Sequence, residues 1–354
     1  MDLDRCDTVL KDLGQPAYRA RQIKLAVYRD LAQGYEDIPT IPRPLRQELA
    51  ARMPFDELRL ETSRRSPDGA TKNLFLTQDG LAIESVLIPH ESGSRTVCVS
   101  TEAGCQIGCT FCATGHLGFQ RALTPFEIAD QVLFFARQLK ATSEKVSNVV
   151  FMGMGEPFLN YEHVRRAILL LNDPDGLGLG QRRISVSTSG IVPGIERFTE
   201  EGWQVNLAIS LHAPTDALRS RLMPINQTYP LDKLMPALDH YVDATNRRLM
   251  LEYLLLGGVN DAPDQALQLA DLLRAWPNVS RLGLVNLMTY NPTRDAYGHW
   301  DAFKGPTERT LATFEETLTA RGIPWTRRVS FGSDVGAACG QLAGEATSPR
   351  NTKL

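Results

Sequence analysis

The sequence has no run of about 18 apolar residues, so nothing in it reads as a membrane span. Its first residues, MDLDRCDTVLKDLG, mix both charge signs and lack the apolar core of a secretory signal. Low-complexity tracts and short-period repeats are missing too. So is any strong net charge: 38 basic against 41 acidic residues leave −3, and no global basic field announces a nucleic-acid binder. From these absences the chain is expected in the cytoplasm, where thiols stay reduced. Its six cysteines are then expected to serve metal or catalysis rather than disulfide staples.

What is present suits a folded enzyme-sized chain. Its 354 residues are 43% hydrophobic and 22% charged, enough for one large α/β domain with smaller attachments. Residues 1–53 read as helical. In YRARQIKLAVYRDL, Ala20, Ile23, Val27 and Leu31 share one face, and Arg21, Lys24 and Tyr28 lie elsewhere. Strand-like runs follow at Leu58–Glu61, Asn73–Leu76, Ala82–Leu87 and Thr96–Ser100, separated by SPDGA and QDG turns.

Beyond Ser100 the pattern alternates. Thr124-Pro125-Phe126-Glu127 is a capping box with proline at the first helical position, opening a helix to about Lys140. VSNVVFM (146–152) reads as a buried strand, and Asn160 as the cap of a helix bearing Val164, Ile168 and Leu171. Strands at 183–187, 204–210, 249–255, 282–288 and 325–329 alternate with helices around 192–200, 231–244, 263–275 and 307–321. Such alternation predicts a parallel sheet, open or closed into a barrel, with its active site at the C-terminal strand ends.

Residue types with chemistry gather at those ends. GCQIGCTFCATG puts Cys105, Cys109 and Cys112 in one loop; GMGEP follows the next strand, then STSG with Ser187 and Ser189, SLHAP with Ser210 and His212, and finally Asn286 and Asn291. Each motif alone is weak: GMGEP also suits a turn, SxS a cap, and His212 a satisfied core histidine. The spacing C-x3-C-x2-C admits zinc with a remote fourth ligand. It equally admits an iron–sulfur cluster with one iron left open to a cosubstrate. Basic pairs at Arg64–Arg65, Arg182–Arg183, Arg247–Arg248 and Arg327–Arg328, with Arg19, Arg21 and Lys24, read first as solvated faces.

C-x3-C-x2-C after the first strand of an α/β barrel is also the signature of radical S-adenosylmethionine enzymes, and GMGE resembles their glycine-rich segment. TVCVSTEAGCQIGCTFCATG, FMGMGEP, STSGIVPGI, ISLHAPTDALRSRLMPIN, EYLLLGGVND and FGSDVGAACGQLAG together resemble the RlmN/Cfr family of RNA adenine methyltransferases, from about Asp68 to Gly344. That resemblance implies a partial (β/α)6 radical-SAM barrel over 95–330. It adds an RNA-contacting helical accessory domain at 1–54, a β extension or linker at 55–94, and a C-terminal segment 331–354.

The resemblance also assigns roles. Cys105, Cys109 and Cys112 would hold one [4Fe–4S] cluster. Gly155, Glu156, Ser187, Ser210, Leu211, His212 and Asn291 would contact S-adenosylmethionine, two molecules per turnover. Cys339 corresponds to the methyl-carrying cysteine, Cys98 to its transient disulfide partner and Glu84 to the proton acceptor. Adenine C2 and C8 are too electron-poor to attack a methyl sulfonium, so a carbon radical must be involved.

The implied substrate is adenine 2503 of 23S rRNA, with adenine 37 of tRNA, methylated at C2. The implied partners are a flavodoxin-type reductase as electron donor and no membrane, with the protein acting as a monomer. Cfr-like C8 methylation is the alternative; Phe331 in RRVSFGSDV, where many C2 enzymes carry arginine, points that way. A radical enzyme acting on a small molecule, or a zinc-bound RNA-binding protein, are more distant readings. Cys6 matches no motif and reads as structural.

Overall fold

The structure is a computed structural model, which describes residues 1–293 and 302–343. The motif residue Gly344 and the remainder of the 331–354 segment lie outside the described residues.

One sheet organises the protein. Strands β1 (Leu58–Arg65), β2 (Thr71–Thr77), β3 (Ala82–Pro89) and β4 (Arg95–Cys98) run antiparallel in sequence order. A small ribbon of β5 (Glu102–Gly104) and β6 (Phe119–Ala122) frames the cysteine loop. From β4 the sheet turns parallel through β7 (Asn148–Phe151), β8 (Ile184–Thr188), β9 (Asn206–Ser210), β10 (Leu249–Leu255), β11 (Gly283–Thr289) and β12 (Trp325–Arg327). All ten strands outside the ribbon form a single sheet in chain order. Helices follow β4 and β7 through β11, giving six β/α units closed by β12, so the partial (β/α)6 expectation holds. The β extension is continuous with it: β3 is hydrogen-bonded directly to β4, which makes the hairpins the near wall of the barrel.

Local chemistry explains most boundaries. Thr124 and Glu127 form the capping box reciprocally, at 3.1 and 2.8 Å, and Pro125 opens the helix Pro125–Ala141. Asn160 stands at the N-cap of its helix, but its side chain makes no capping bond. Its Nδ2 donates instead to the Thr101 and Leu123 carbonyls at 2.8 and 2.9 Å, tying together the chain on either side of the cysteine loop.

Tyr28 departs from the helical wheel. The helix Tyr18–Lys24 widens into a π turn over Leu25–Arg29, which advances the register by one residue. The ring is thereby fully buried and its hydroxyl donates to the Met1 carbonyl at 3.0 Å. Cys6 is buried in the same helical cluster. That cluster is continuous with the barrel core. Among the described residues no helix is long and apolar enough to cross a membrane.

Candidate active site at the strand ends

The cysteine loop is held from three sides. Cys105 N–H donates to Gly118 O at 3.0 Å, Thr110 N–H to Leu222 O at 3.0 Å, and Ala113 N–H to Gly340 O at 2.8 Å. Gly104 takes φ +79° where a β-carbon would collide with the Gly118 carbonyl, so only glycine admits this crossing. The three thiols lie within electrostatic range of one another, and burial pushes Cys105 up to about 12. Thiolates there therefore need a cationic centre to hold them.

A single zinc would draw its sulfurs to within about 3.8 Å of each other, given Zn–S bonds near 2.3 Å. Among the described residues no three His, Cys, Asp or Glu groups converge on one ion. Three thiols on one loop suit an iron–sulfur cluster, whose several irons need not draw the sulfurs onto a single point. One buried polar atom on the loop after β8, Ser189 Oγ, has no hydrogen-bond partner. A bound cosubstrate would satisfy it.

The glycine-rich loop after β7 is built around its glutamate. Glu156 is buried, and its carboxylate accepts Phe158 N–H at 3.0 Å and Ser189 N–H at 2.7 Å. The side chain thus clamps this loop to the one after β8, and the loop presents backbone outward. Gly155 has φ +99°, and a β-carbon there would sit 2.6 Å from Glu102 Cβ. Glu102 accepts the Glu156 N–H at 2.9 Å, and burial pushes its carboxyl up to about 7.

The remaining sequence-predicted residues line the same rim. Ser187 lies on β8 and Ser210 ends β9. Leu211 is fully buried, its N–H bonded to Glu252 O at 3.0 Å. Asn291 Nδ2 donates to Ser330 Oγ at 3.1 Å, joining the end of β11 to the start of the C-terminal segment.

His212 has one ring nitrogen satisfied within the fold. Its Nδ1 accepts Leu254 N–H at 3.0 Å, leaving the proton on Nε2, and its ring meets Phe111 of the cysteine loop edge-on at 5.1 Å. Burial, then the Arg219 charge, push its pKa down to about 3. Folding therefore excludes a proton that the unfolded chain accepts. The stability involved is whole above the free-imidazole value of 6.5 and is lost as pH falls toward about 3. Acid unfolding followed by circular dichroism should be less steep between those values for His212→Asn than for wild type. Equal slopes would remove this group from the account.

Residues far apart in sequence meet at the barrel mouth. Cys98 ends β4 and is buried, its thiol pushed up to about 12; Cys339 is exposed. The Cys339 segment lies across the rim. Gly340 O bonds the cysteine loop, Leu342 O accepts Thr114 Oγ1 at 2.6 Å, and Ala343 N–H donates to Glu84 Oε2 at 2.9 Å. Glu84, which in isolation reads as an exposed strand carboxylate, is 1% exposed and ion-paired to Lys72 Nζ at 3.0 Å.

Five participants escape sequence reading as separate residues. Glu252 had a signal, a lone charge inside the apolar run LMLEYLLL, whereas Lys72 sits between Thr71 and Asn73 in TKNLFLT. Glu102 and Arg219 had none. Arg327–Arg328 looked like one basic pair, yet the strand alternation splits it. Arg327 bonds Glu315 outside at 2.8 and 2.9 Å, whereas Arg328 turns inward, 3.7 Å from Glu252 and within charge range of Cys339 and Cys98. Phe331 packs edge-on against His90 at 5.7 Å.

Comparison with known proteins agrees with this geometry. Residues 99–270 match the model of the radical SAM superfamily. A Chloroflexus aurantiacus protein named as a dual-specificity RNA methyltransferase RlmN is 45% identical, over 99% of this chain and 93% of its own. A Symbiobacterium thermophilum protein of the same name is 42% identical, over 98% and 91%. A crystal structure of a radical SAM methyltransferase from Sphaerobacter thermophilus superposes with a TM-score of 0.90 at 44% identity, covering 97% of this chain and 98% of that one.

Proposed function

Since the chain belongs to the RlmN family of radical SAM RNA methyltransferases, we propose that it methylates C2 of adenine in RNA through Cys339. The proposed targets are adenine 2503 of 23S rRNA and adenine 37 of tRNA. The observation that carries this reading is the placement of Cys339: its segment is hydrogen-bonded both to the cysteine loop and to Glu84.

A [4Fe–4S] cluster on Cys105, Cys109 and Cys112, with S-adenosylmethionine bound beside it, would supply the carbon radical that the unreactive ring carbon demands. The protein's own residues do the rest. Cys339 as thiolate displaces the methyl of one S-adenosylmethionine, forming an S–CH₃ bond and releasing the thioether. Its exposure suits both a first cosubstrate and an RNA base, which must leave its stack to enter the barrel mouth.

The methyl carbon on Cys339, once stripped of a hydrogen atom, bonds to the adenine. Glu84, paired with Lys72, accepts the ring proton as the adduct gives up its unpaired electron to an external one-electron acceptor. Cys98 as thiolate then attacks the Cys339 sulfur; the carbon–sulfur bond breaks, the freed carbon takes up a proton to become the methyl group, methylated RNA leaves, and the two cysteines end as a disulfide for an external reductant to reopen. Arg328 lies within charge range of both sulfurs and counters part of the burial that pushes the Cys98 thiol up.

Two S-adenosylmethionine molecules are consumed per turnover, an electron arrives from a flavodoxin-type reductase, and the enzyme works as a monomer. RNA contact falls on the N-terminal helices, where Tyr18 is 56% exposed and Arg19 stacks over its ring at 4.9 Å. Neighbouring Arg21 and Lys24 are ion-paired to Asp175 and Asp173 and fasten those helices to the barrel instead. Digestion of rRNA fragments methylated by reconstituted enzyme should yield 2-methyladenosine by mass spectrometry. Finding 8-methyladenosine alone would replace the C2 assignment with C8.

A further inference from the structure

Arg219, on the helix Asp216–Leu222, has no exposed surface. Each nitrogen of its guanidinium is hydrogen-bonded, but only to neutral acceptors. Nε donates to Leu211 O at 3.2 Å and Nη1 to Asn226 Oδ1 at 2.8 Å, while Nη2 reaches Ser189 O at 2.6 Å and Ser210 O at 3.1 Å. Among the described residues no carboxylate lies at ion-pair distance from it. Asp216 acts on it by charge from further away, and its Oδ1 is already engaged by Asn226 Nδ2 and Leu231 N–H at 2.9 and 2.8 Å. A buried cation without a counter-ion is strongly unfavourable, so a fold that keeps one has a negative partner for it in the working state.

The position of the helix identifies that partner. Leu222 O, one turn after Arg219, accepts Thr110 N–H of the cysteine loop at 3.0 Å. Leu222 and Met223 belong to the apolar cluster on which Cys109 and Cys112 pack. Cys109, once held as a thiolate, lies within charge range of Arg219, as does Asp216.

We propose that Arg219 is a positioning residue whose buried charge offsets the negative charge of a thiolate-held iron–sulfur cluster and favours its reduced form. Its hydrogen bonds simultaneously fix the strand ends after β8 and β9. This rests on the functional reading only in requiring that the three cysteines hold a cluster, and it is independent of which RNA carbon is methylated.

The test is the midpoint potential of anaerobically reconstituted full-length protein, read by EPR-monitored redox titration. In Arg219→Met and Arg219→Gln the ratio of reduced to oxidised cluster at a fixed potential should fall about tenfold, a shift of about 59 mV for one electron. Arg219→Lys should restore most of it. Failure of both neutral variants to take up a cluster, with Lys loading at near wild-type potential, is the same charge requirement in stronger form. A neutral variant with wild-type potential overturns the proposal. So does a Lys variant that shifts or fails as far as Met, since geometry alone would then be at stake. A wild-type protein that takes up no cluster overturns the functional reading as well, which separates the two failures.

Discussion

Cys339→Ala should lose methyl transfer to RNA by about a thousandfold or more, the scale on which covalent catalysis fails without its nucleophile. Cluster absorbance and thermal stability should stay near those of wild type. The side chain is exposed, so its loss opens no cavity. The segment is anchored through backbone atoms of Gly340, Leu342 and Ala343, which alanine at 339 leaves in place. Methylation of rRNA fragments by the variant is the measurement. Retained turnover would mean that the methyl never travels through this sulfur, and would return the protein to radical chemistry on a substrate that needs no relay.

Cys98→Ala should give a different failure. The first half of the reaction does not need Cys98, so methyl loading and bonding to adenine should proceed. Release should not, because no second sulfur can open the Cys339 bond to the RNA-bound carbon. A covalent protein–RNA species should therefore build up to about one per enzyme, visible as a ribonuclease-sensitive shift on a denaturing gel. Cys98→Ala combined with Cys339→Ala should show none. Cys98 is buried at the end of β4, and its carbonyl already accepts Ser85 Oγ at 2.7 Å, so the smaller side chain leaves the strand in register. Multiple turnovers by the single variant would remove Cys98 from the reaction.

Much of this site was legible beforehand, but unevenly. Strand and helix periods are local, and the alternation beyond Ser100 survives in the structure with ends displaced by a residue or two. The exceptions have identifiable causes. Tyr28 is misplaced because a π turn is invisible to a 3.6-residue wheel, and Asn160, though at the N-cap as expected, turns its side chain to two nearby carbonyls instead. Phe331 was weighed as a clue to the methylated carbon, yet in the structure its ring packs on His90.

The sequence by itself determined the order of elements, the three-thiol loop and the family, because these depend on spacing along the chain. It did not determine which charges matter. Lys72 beside Glu84, Glu252 beside Arg328 and Arg219 beneath the cysteine loop are ordinary letters until the sheet is assembled. Glu84 and Ala343 are 259 positions apart, and only the parallel sheet with its added hairpins brings them within a hydrogen bond. The energy of a charge depends on the dielectric around it and on its nearest counter-charge, and tertiary structure sets both.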